Sequence, residues 1–178
     1  MAERPPELAS EVSPDIEWVL HAMEGRTEDA FAILRPTSPF RTSATIRRAW
    51  ERLLELGDRA DSIRAVERCR HHPAKMWLVE GELMRPVLER PDEGTPWHSM
   101  QYQSLPEVWV QNSSLEIAWS HVLDGDRPSI AGGRIAPFFT EGHEGFSIDY
   151  PEDLERAERL LRHGAAPGEL LGSGLDLP

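Results

Sequence analysis

The sequence has a single cysteine, a shortage of basic residues and no long apolar run. Cys69 stands alone among 178 residues, so no disulfide can form within the chain, and a reducing cytoplasm is the expected location. Lys and Arg number 19 against 31 Asp and Glu, and the resulting net charge of −12 argues against a nucleic-acid partner. No stretch approaches the roughly 20 apolar residues that span a bilayer, so no membrane partner is expected.

Common catalytic signatures are missing as well. The sequence contains neither a GxxxxGK[S/T] loop nor a GxGxxG loop after a strand, which excludes the two standard phosphate-binding loops. Its 7 histidines form no HExxH pair that would bind zinc on a helix. What is present is a hydrophobic share of 39% with 28% charged residues, which is the composition of an ordinary globular domain.

Apolar runs and periodicity in the first half predict strands joined by a helix. The run AFAIL (30–34) is apolar at every position, as in a strand that is buried on both faces. Ile46, Ala49 and Leu53 follow at helical spacing, and ADSIRAV (60–66) is typical of another strand. This strand–helix–strand order predicts an α/β fold with a mostly parallel, Rossmann-like sheet.

The second half predicts further strands and a closing helix. Residues 108–119 are expected to form two strands around a polar turn at 112–113, and residues 134–139 a further strand. Asp149 is expected at the end of a strand that precedes a helix beginning at Pro151. The inward-facing residues of this helix share helical spacing: Leu154, Ala157, Leu160 and Leu161.

The composition also predicts how the chain is divided. Residues 1–165 are expected to form one domain. Within it, residues 71–105 are polar and rich in Pro and Gly, too long for a simple turn and too short for a core of their own. We therefore expect a protruding insert that packs on a second subunit. Residues 166–178 are expected to form a flexible tail.

The segment LRPTSPFR (34–41) is the first candidate functional site. It follows a predicted buried strand, and ligands collect at the carboxyl ends of strands in open α/β sheets. Thr37 and Ser38 offer hydroxyls, and Arg41 offers a planar cation for phosphate or carboxylate. The alternative interpretation is a β-turn that leads into a capped helix.

Asp149 is the second candidate. A carboxylate at the end of an apolar strand suits Mg²⁺, which keeps several waters and takes further ligands from nucleotide phosphates. The alternative interpretation is that Asp149 only caps the following helix.

Segments along nearly the whole chain, from about residue 4 to residue 162, match the motifs of one family in order. RPPELA is similar to an RPxELA segment, LRPTSPFR to QPTSPLR, and ADSIRAV with HPAK to ADSxxSV with HPxK. SLPEVWVQNSSLEIAW is similar to LPxxYxxNGxxYI, and IDYPEDLERAE to IDTPEDLxxAE. The chain therefore resembles the acylneuraminate cytidylyltransferases, the CMP-sialic acid synthetases and their relatives.

The resemblance implies transfer of CMP from CTP to the anomeric hydroxyl of a 2-keto sugar acid, with release of pyrophosphate. It also implies Mg²⁺ as cofactor and a homodimer in which a protruding segment completes the sugar site of the other subunit. By position in the motifs, Arg4 would bind the nucleotide, Arg41 and Asp149 would be catalytic, and Asp149 would hold the metal. The implied substrate-binding residues are Arg35, Thr37, Ser38, Lys75 and Asn112.

Departures from the family pattern leave two alternatives open. The family's first strand and its basic RxGSKxxxxKN loop, which holds the triphosphate, have no counterpart, so an N-terminally incomplete version of the fold is expected. Arg35 stands in place of the family's Gln, Ser113 in place of a Gly, and Ser147 in place of the first Asp of a DID pair. The alternatives are a non-catalytic remnant that dimerises through residues 71–105, and a related nucleotidyltransferase that uses another sugar.

Overall fold

The computed structural model describes residues 4–10 and 12–164, which form two compact units. The first, called the sheet unit here, combines the described residues up to Val66 with those from Gln111 onward. The second, called the hairpin unit, spans Glu67–Val110 and contains the segment 71–105 that the sequence predicts as an insert. The expected tail at 166–178 lies outside the described residues.

Helices and strands are numbered in chain order. The α-helices of the described ranges are α1 (Asp15–Met23), α2 (Ser43–Leu56) and α3 (Pro151–Arg162). The strands are β1 (Ala30–Ile33), β2 (Ser62–Arg68), β3 (Trp77–Glu80), β4 (Leu83–Pro86), β5 (Trp109–Trp119) and β6 (Ile135–Phe139). No helix within residues 4–10 and 12–164 has the length and apolar character to cross a membrane.

Helix α2 begins and ends where local sequence signals place it. Thr42 Oγ1 accepts a hydrogen bond from the Thr45 N–H at 3.2 Å, and Thr45 Oγ1 accepts one from the Thr42 N–H at 3.1 Å. This reciprocal pair satisfies amide groups that have no partner inside the helix. Gly57 ends the helix with φ +50°, in the left-handed region that favours glycine. Helix α2 therefore begins directly after the candidate segment at 34–41.

The four-stranded sheet is mixed, so the predicted mostly parallel, Rossmann-like sheet is wrong. The strand order is β1-β5-β2-β6, with β5 antiparallel to its neighbours and β2–β6 as the one parallel pair in the described part of the chain. Phe31 lies opposite Ala118 in the β1–β5 pair, and Arg64 lies opposite Pro137 in the β2–β6 pair. Strands β1 and β2 do run in the same direction, but β5 lies between them and pairs with both.

Three local predictions are also wrong. Strand β5 continues through 112–113 without a turn, and the Asn112 side chain accepts a hydrogen bond from the Ser114 N–H at 3.1 Å within it. Residues 145–150 form no strand, so Asp149 lies in a loop before α3. The inward face of α3 is narrower than its apolar spacing predicts, because Leu154 and Leu161 are 49% and 52% exposed.

The core lies on one face of the sheet, against α2. Its fully buried members come from α2, β2, β5 and β6: Ala49, Leu53, Ile63, Ala65, Leu115, Ile117 and Phe138. Because side chains alternate between the two faces of a strand, Ser114 and Glu116 of β5 lie on the face opposite Leu115 and Ile117. Both polar residues are nevertheless buried. The sheet therefore has an apolar buried face and, in its centre, a polar buried face.

The hairpin unit is built on the antiparallel pair β3–β4. Val79 lies opposite Met84, and Gly81 makes the tight connection with φ +66°. Several apolar side chains of the hairpin are exposed, among them Val79 at 73% and Leu83 at 79%. An isolated two-stranded hairpin has little stability in water. Several exposed apolar side chains close together are also uncommon on the surface of a monomeric protein.

Candidate active site

The turn at 34–41 contacts the loop that precedes α3. The Ile148 N–H donates a hydrogen bond to the Thr37 carbonyl oxygen at 2.9 Å. In the same loop, Ser147 Oγ lies 3.0 Å from Asp149 Oδ1 and 3.5 Å from Thr37 Oγ1. The two segments that the sequence singles out as candidate sites are therefore neighbours within the sheet unit.

Asp149 does not provide the cap of α3. The capping carboxylate belongs to Asp153, whose Oδ2 accepts hydrogen bonds from the N–H groups of Asp149 at 3.2 Å and Tyr150 at 3.0 Å. The Asp149 side chain is exposed and accepts a hydrogen bond from Ser147 Oγ. The structure therefore rules out the simple capping interpretation and leaves this carboxylate open to solvent.

Arg41 is a half-buried cation that is paired with backbone carbonyls. Its Nη1 donates to the carbonyl oxygen of Arg35 at 3.0 Å and to that of Ser114. Among the described residues no carboxylate pairs with Arg41, and burial lowers its pKa. A guanidinium stays protonated under all ordinary conditions, so this positive charge persists without a compensating acid.

Ser38 and Asn112 hold the turn and the middle of β5 in place. Ser38 is buried, and its hydroxyl donates to the Ser113 carbonyl oxygen at 3.0 Å. Asn112 Nδ2 donates to Thr140 Oγ1 at 3.0 Å, and its Oδ1 accepts from the Ser114 N–H. Both predicted substrate-binding side chains are thus engaged in hydrogen bonds that shape the site.

Arg35 joins α1 to β5 through two carboxylates. It makes a bidentate contact with Asp15, at 2.5 Å and 3.4 Å, and its Nη2 also donates to Glu116 Oε1 at 3.2 Å. The hydrogen bond from Arg35 is the main reason that the pKa of Asp15 lies below its ordinary value, and the charge of Arg4 acts in the same direction. The guanidinium predicted to contact substrate is therefore already paired.

Arg64 and Glu116 belong to the same network, although neither lies among the candidate site residues of the sequence. Arg64 Nη2 lies 2.9 Å from Glu116 Oε2, and Arg64 Nη1 donates to Gln111 Oε1 at 2.9 Å. The available signal was Glu116 itself, an acid between Leu115 and Ile117 in an apolar strand. A carboxylate buried in such a strand requires a cationic partner.

Arg4 and Lys75 lie outside this network of direct contacts. Arg4 donates through Nε to the Leu8 carbonyl oxygen at 2.6 Å, with its guanidinium 5.7 Å from the centre of the Trp18 ring. Lys75 belongs to the hairpin unit, where its Nζ donates to the carbonyl oxygens of His98 at 2.7 Å and Met100 at 2.6 Å. Neither side chain is paired with an acid in these contacts.

Three cavities formed by described residues lie away from the candidate active site. One of about 470 Å³ lies between α1 and residues 120–124, and one of about 260 Å³ lies between α1 and β1. A third, also of about 260 Å³, lies in the hairpin unit beside Arg90. The residues implied by the resemblance line none of these three, so direct contacts rather than a closed cavity define the candidate active site.

The fit of a magnesium ion rests on a single carboxylate. Within residues 4–10 and 12–164 no three His, Cys, Asp or Glu side chains are grouped so that they would hold a metal. Mg²⁺ is commonly bound through one or two carboxylates, with water and substrate phosphates completing an octahedron. Asp149 fits that open mode of binding and does not fit a site built from protein ligands alone.

No protein-family model matches the sequence. Arg35 and Arg64 are paired with acids, whereas Arg41 has no acid partner among the described residues. This cation without a paired acid suits an anionic group of a ligand.

Proposed function

We propose that the chain is a cytidylyltransferase that transfers CMP from CTP to a 2-keto sugar acid of the sialic-acid type. In this reaction the anomeric oxygen bonds to the α-phosphorus as the bond to pyrophosphate breaks, and the hydroxyl proton passes to solvent. One observation carries the proposal, the 2.9 Å hydrogen bond from the Ile148 N–H to the Thr37 carbonyl oxygen. It joins the two motif segments that the resemblance implies around the substrates.

The charge of the site supports this reaction. Phosphoryl-type transfer requires neutralisation of the phosphates and alignment of the attacking oxygen more than it requires a covalent nucleophile. Arg41 has no acid partner among the described residues and is held in place by the carbonyl oxygens of Arg35 and Ser114. In the proposal this fixed cation binds an anionic group of a substrate.

Asp149 is proposed to hold Mg²⁺. When bound, the ion would neutralise phosphate charge as a Lewis acid. Ser147 Oγ donates to Asp149 Oδ1, which helps to hold the carboxylate in place. Because Asp153 supplies the hydrogen bonds at the start of α3, the Asp149 carboxylate is not needed there.

We also propose that the protein is a homodimer that associates through its hairpin unit. Val79 and Met84 lie opposite each other on one face of the hairpin and are 73% and 58% exposed. Removing apolar surface from water contributes roughly 25 cal/mol per Å², and the cost of association is subtracted from this gain. A second copy of the chain would cover these side chains and stabilise the hairpin.

A non-catalytic dimerising module is the second candidate function. Two observations favour it: a single open carboxylate where the resembled family has a pair of acids, and the exposed apolar hairpin. In this case the chain would dimerise and bind ligands without turning over CTP.

Pyrophosphate release separates the two candidates. The full chain would be incubated with CTP, Mg²⁺ and N-acetylneuraminate, with pyrophosphate and CMP-sugar measured by coupled assay and mass spectrometry. We expect both products, and neither when the sugar acid is omitted. A folded, dimeric protein that yields no pyrophosphate with any of several 2-keto sugar acids supports the non-catalytic module instead. Replacing CTP by UTP, GTP or ATP identifies a related nucleotidyltransferase.

A further inference from the structure

The hydroxyl of Ser147 links the turn at 34–41 to the carboxylate of Asp149. Ser147 Oγ donates to Asp149 Oδ1 at 3.0 Å and lies 3.5 Å from Thr37 Oγ1. The first distance is that of an ordinary hydrogen bond, and the second is a weak contact. Ser147 is half-buried and Asp149 is exposed, so a hydrated ion can reach the carboxylate from solvent. Asp149 is therefore the main partner of this hydroxyl, and it is accessible.

The backbone of the loop is held without the serine hydroxyl. The Ile148 N–H donates to the Thr37 carbonyl oxygen at 2.9 Å. Asp153 Oδ2 accepts from the N–H groups of Asp149 at 3.2 Å and Tyr150 at 3.0 Å. These bonds fix the residues on both sides of the Asp149 side chain, and none of them involves the hydroxyl. The hydroxyl therefore acts on the carboxylate rather than on the course of the loop.

A carboxylate on an exposed side chain has rotational freedom, which it loses when it binds an ion. Metal-binding carboxylates are for this reason commonly held by a hydrogen bond from a second residue, which sets their orientation before the metal arrives. Ser147 Oγ supplies a bond of this kind to Asp149. The serine and the carboxylate thus have the arrangement of an orienting residue and the ligand that it orients.

We propose that Ser147 is a positioning residue, whose hydroxyl holds the Asp149 carboxylate ready to bind a divalent cation. This inference rests on the proposed function, which assigns the metal to Asp149. The alternative is a serine that only adds to the contact between the loop and Thr37. That purely structural role predicts a lower melting temperature when the hydroxyl is removed and an unchanged affinity for the cation.

The test is a titration of the full chain with MnCl₂, without CTP or sugar acid, followed through the relaxation of water protons. Mn²⁺ takes the oxygen ligands that Mg²⁺ takes, and it is paramagnetic. Because the chain has 31 Asp and Glu residues, Asp149→Ala defines the background binding by other acids. Its curve is subtracted from that of each other protein, and the difference gives the dissociation constant at Asp149.

The variants separate orientation of the carboxylate from folding. Ser147→Ala is expected to bind Mn²⁺ about tenfold more weakly at this site, with an unchanged melting temperature. Ser147→Thr keeps a hydroxyl and is expected to restore the affinity of wild type. Ser99→Ala, the matched control, removes an exposed serine hydroxyl 3.1 Å from His98 Nδ1 and is expected to bind like wild type. If Ser147→Ala does not fold, Ser147→Cys substitutes a weaker donor of similar size and is expected to lose affinity in the same direction.

The outcomes distinguish this inference from the proposed function. Equal Mn²⁺ affinity of wild type and Ser147→Ala overturns the positioning role even if wild type releases pyrophosphate from CTP. Identical binding curves of wild type and Asp149→Ala also overturn it, because the cation is then not held by this carboxylate. If the affinity depends on Ser147 and Asp149 but no pyrophosphate is released with any sugar acid, the positioning role stands and CMP transfer is wrong.

Discussion

Gly132 lies against the side chain of Asp61 so closely that a β-carbon on the glycine would be 2.6 Å from Asp61 Cβ. Gly132 also has φ +70°, a conformation that other residues rarely adopt. The contact lets the neighbouring amides of Gly133 and Arg134 donate to Asp61 Oδ2 at 3.0 Å and 2.8 Å. The glycine thus allows the segment before β6 to close around a buried carboxylate.

Gly132→Ala is expected to lower the free energy of unfolding by at least about 2 kcal/mol, because the new methyl group meets Asp61 Cβ and the backbone is strained. Urea denaturation measures the change. Gly133→Ala is the matched control, since its β-carbon would be 3.9 Å from the nearest atom, Asp61 Oδ2. The control is expected to stay within about 0.5 kcal/mol of wild type. Equal effects of the two substitutions would contradict the steric argument.

The pairing of Asp61 predicts a loss of stability in acid. Hydrogen bonds from the Arg134 side chain, and then from its backbone, hold the pKa of Asp61 far below its ordinary value. The folded state therefore binds this proton less readily than the unfolded chain, whose aspartate titrates near about 3.9. The contribution is complete above about pH 5 and is lost as the pH falls toward the folded-state value.

Asp61→Asn isolates this contribution. We expect the variant to be less stable than wild type at pH 6, with a difference that is unchanged down to about pH 5 and then narrows toward pH 3. Urea denaturation at several pH values measures it. A difference that stays constant over this range would show that the pairing with Arg134 does not control the titration of Asp61.

Glu144 is a buried acid whose loss is expected to be costly. Burial opposes its ionisation, but hydrogen bonds from Arg48, the Glu141 amide and Thr45 hold its pKa below the ordinary value. Glu144→Ala is expected to destabilise the protein by about 3 kcal/mol in chemical denaturation, because Arg48 and Thr45 lose their partner. Glu141→Ala removes an exposed acid 3.7 Å from Arg48 and is expected to cost less than about 1 kcal/mol.

Asp149→Ala is expected to remove metal-dependent turnover without unfolding the protein. The proposed function assigns the metal to this carboxylate, and its exposure makes it dispensable for packing. Pyrophosphate release is expected to fall at least about 100-fold, while the melting temperature stays close to that of wild type. Glu152→Ala, a neighbouring exposed acid, is expected to keep full activity. Full activity of Asp149→Ala would show that the metal is held elsewhere.

Charges on the exposed hairpin are expected to disrupt the proposed dimer. V79K/M84K places two lysines on one face of the hairpin, at side chains that are 73% and 58% exposed, so the fold of one chain should tolerate them. Sedimentation velocity at micromolar concentration is expected to give monomers for this variant and dimers for wild type. Val12→Lys, at an apolar residue of the sheet unit that is 88% exposed, is the control and should remain dimeric. A monomeric wild type would overturn the proposed dimer.

The parts of the fold that the sequence predicted depend on local signals. Helix α2 lies between Thr42 and Gly57 because a side-chain cap and a left-handed glycine act within one turn of the chain. Strand β2 follows in the same way from the local apolar run ADSIRAV. Local sequence does not decide which strands pair with one another. Nothing in AFAIL or ADSIRAV indicates that β5 would lie between them, so the parallel sheet was the wrong expectation.

The candidate site could also be predicted only in part from the sequence. Thr37, Arg41 and Asp149 were identified from short motifs, and the structure brings their two segments into contact. Arg64 and Glu116 were missed, because their relation exists only once β2 and β5 lie side by side. An acid in a buried strand predicts that a partner exists, but the residue that supplies it depends on strand pairing.

The residue opposite Arg64 on β6 affects the protein's tendency to aggregate. Pro137 lies on a border strand and has no N–H, so an incoming strand would find a gap in the hydrogen-bond ladder there. Proline on a border strand is one way in which natural sheets resist edge-to-edge association. Fibrillar growth from this sheet would therefore be disfavoured at β6 and would have to start from the opposite border, the short strand β1.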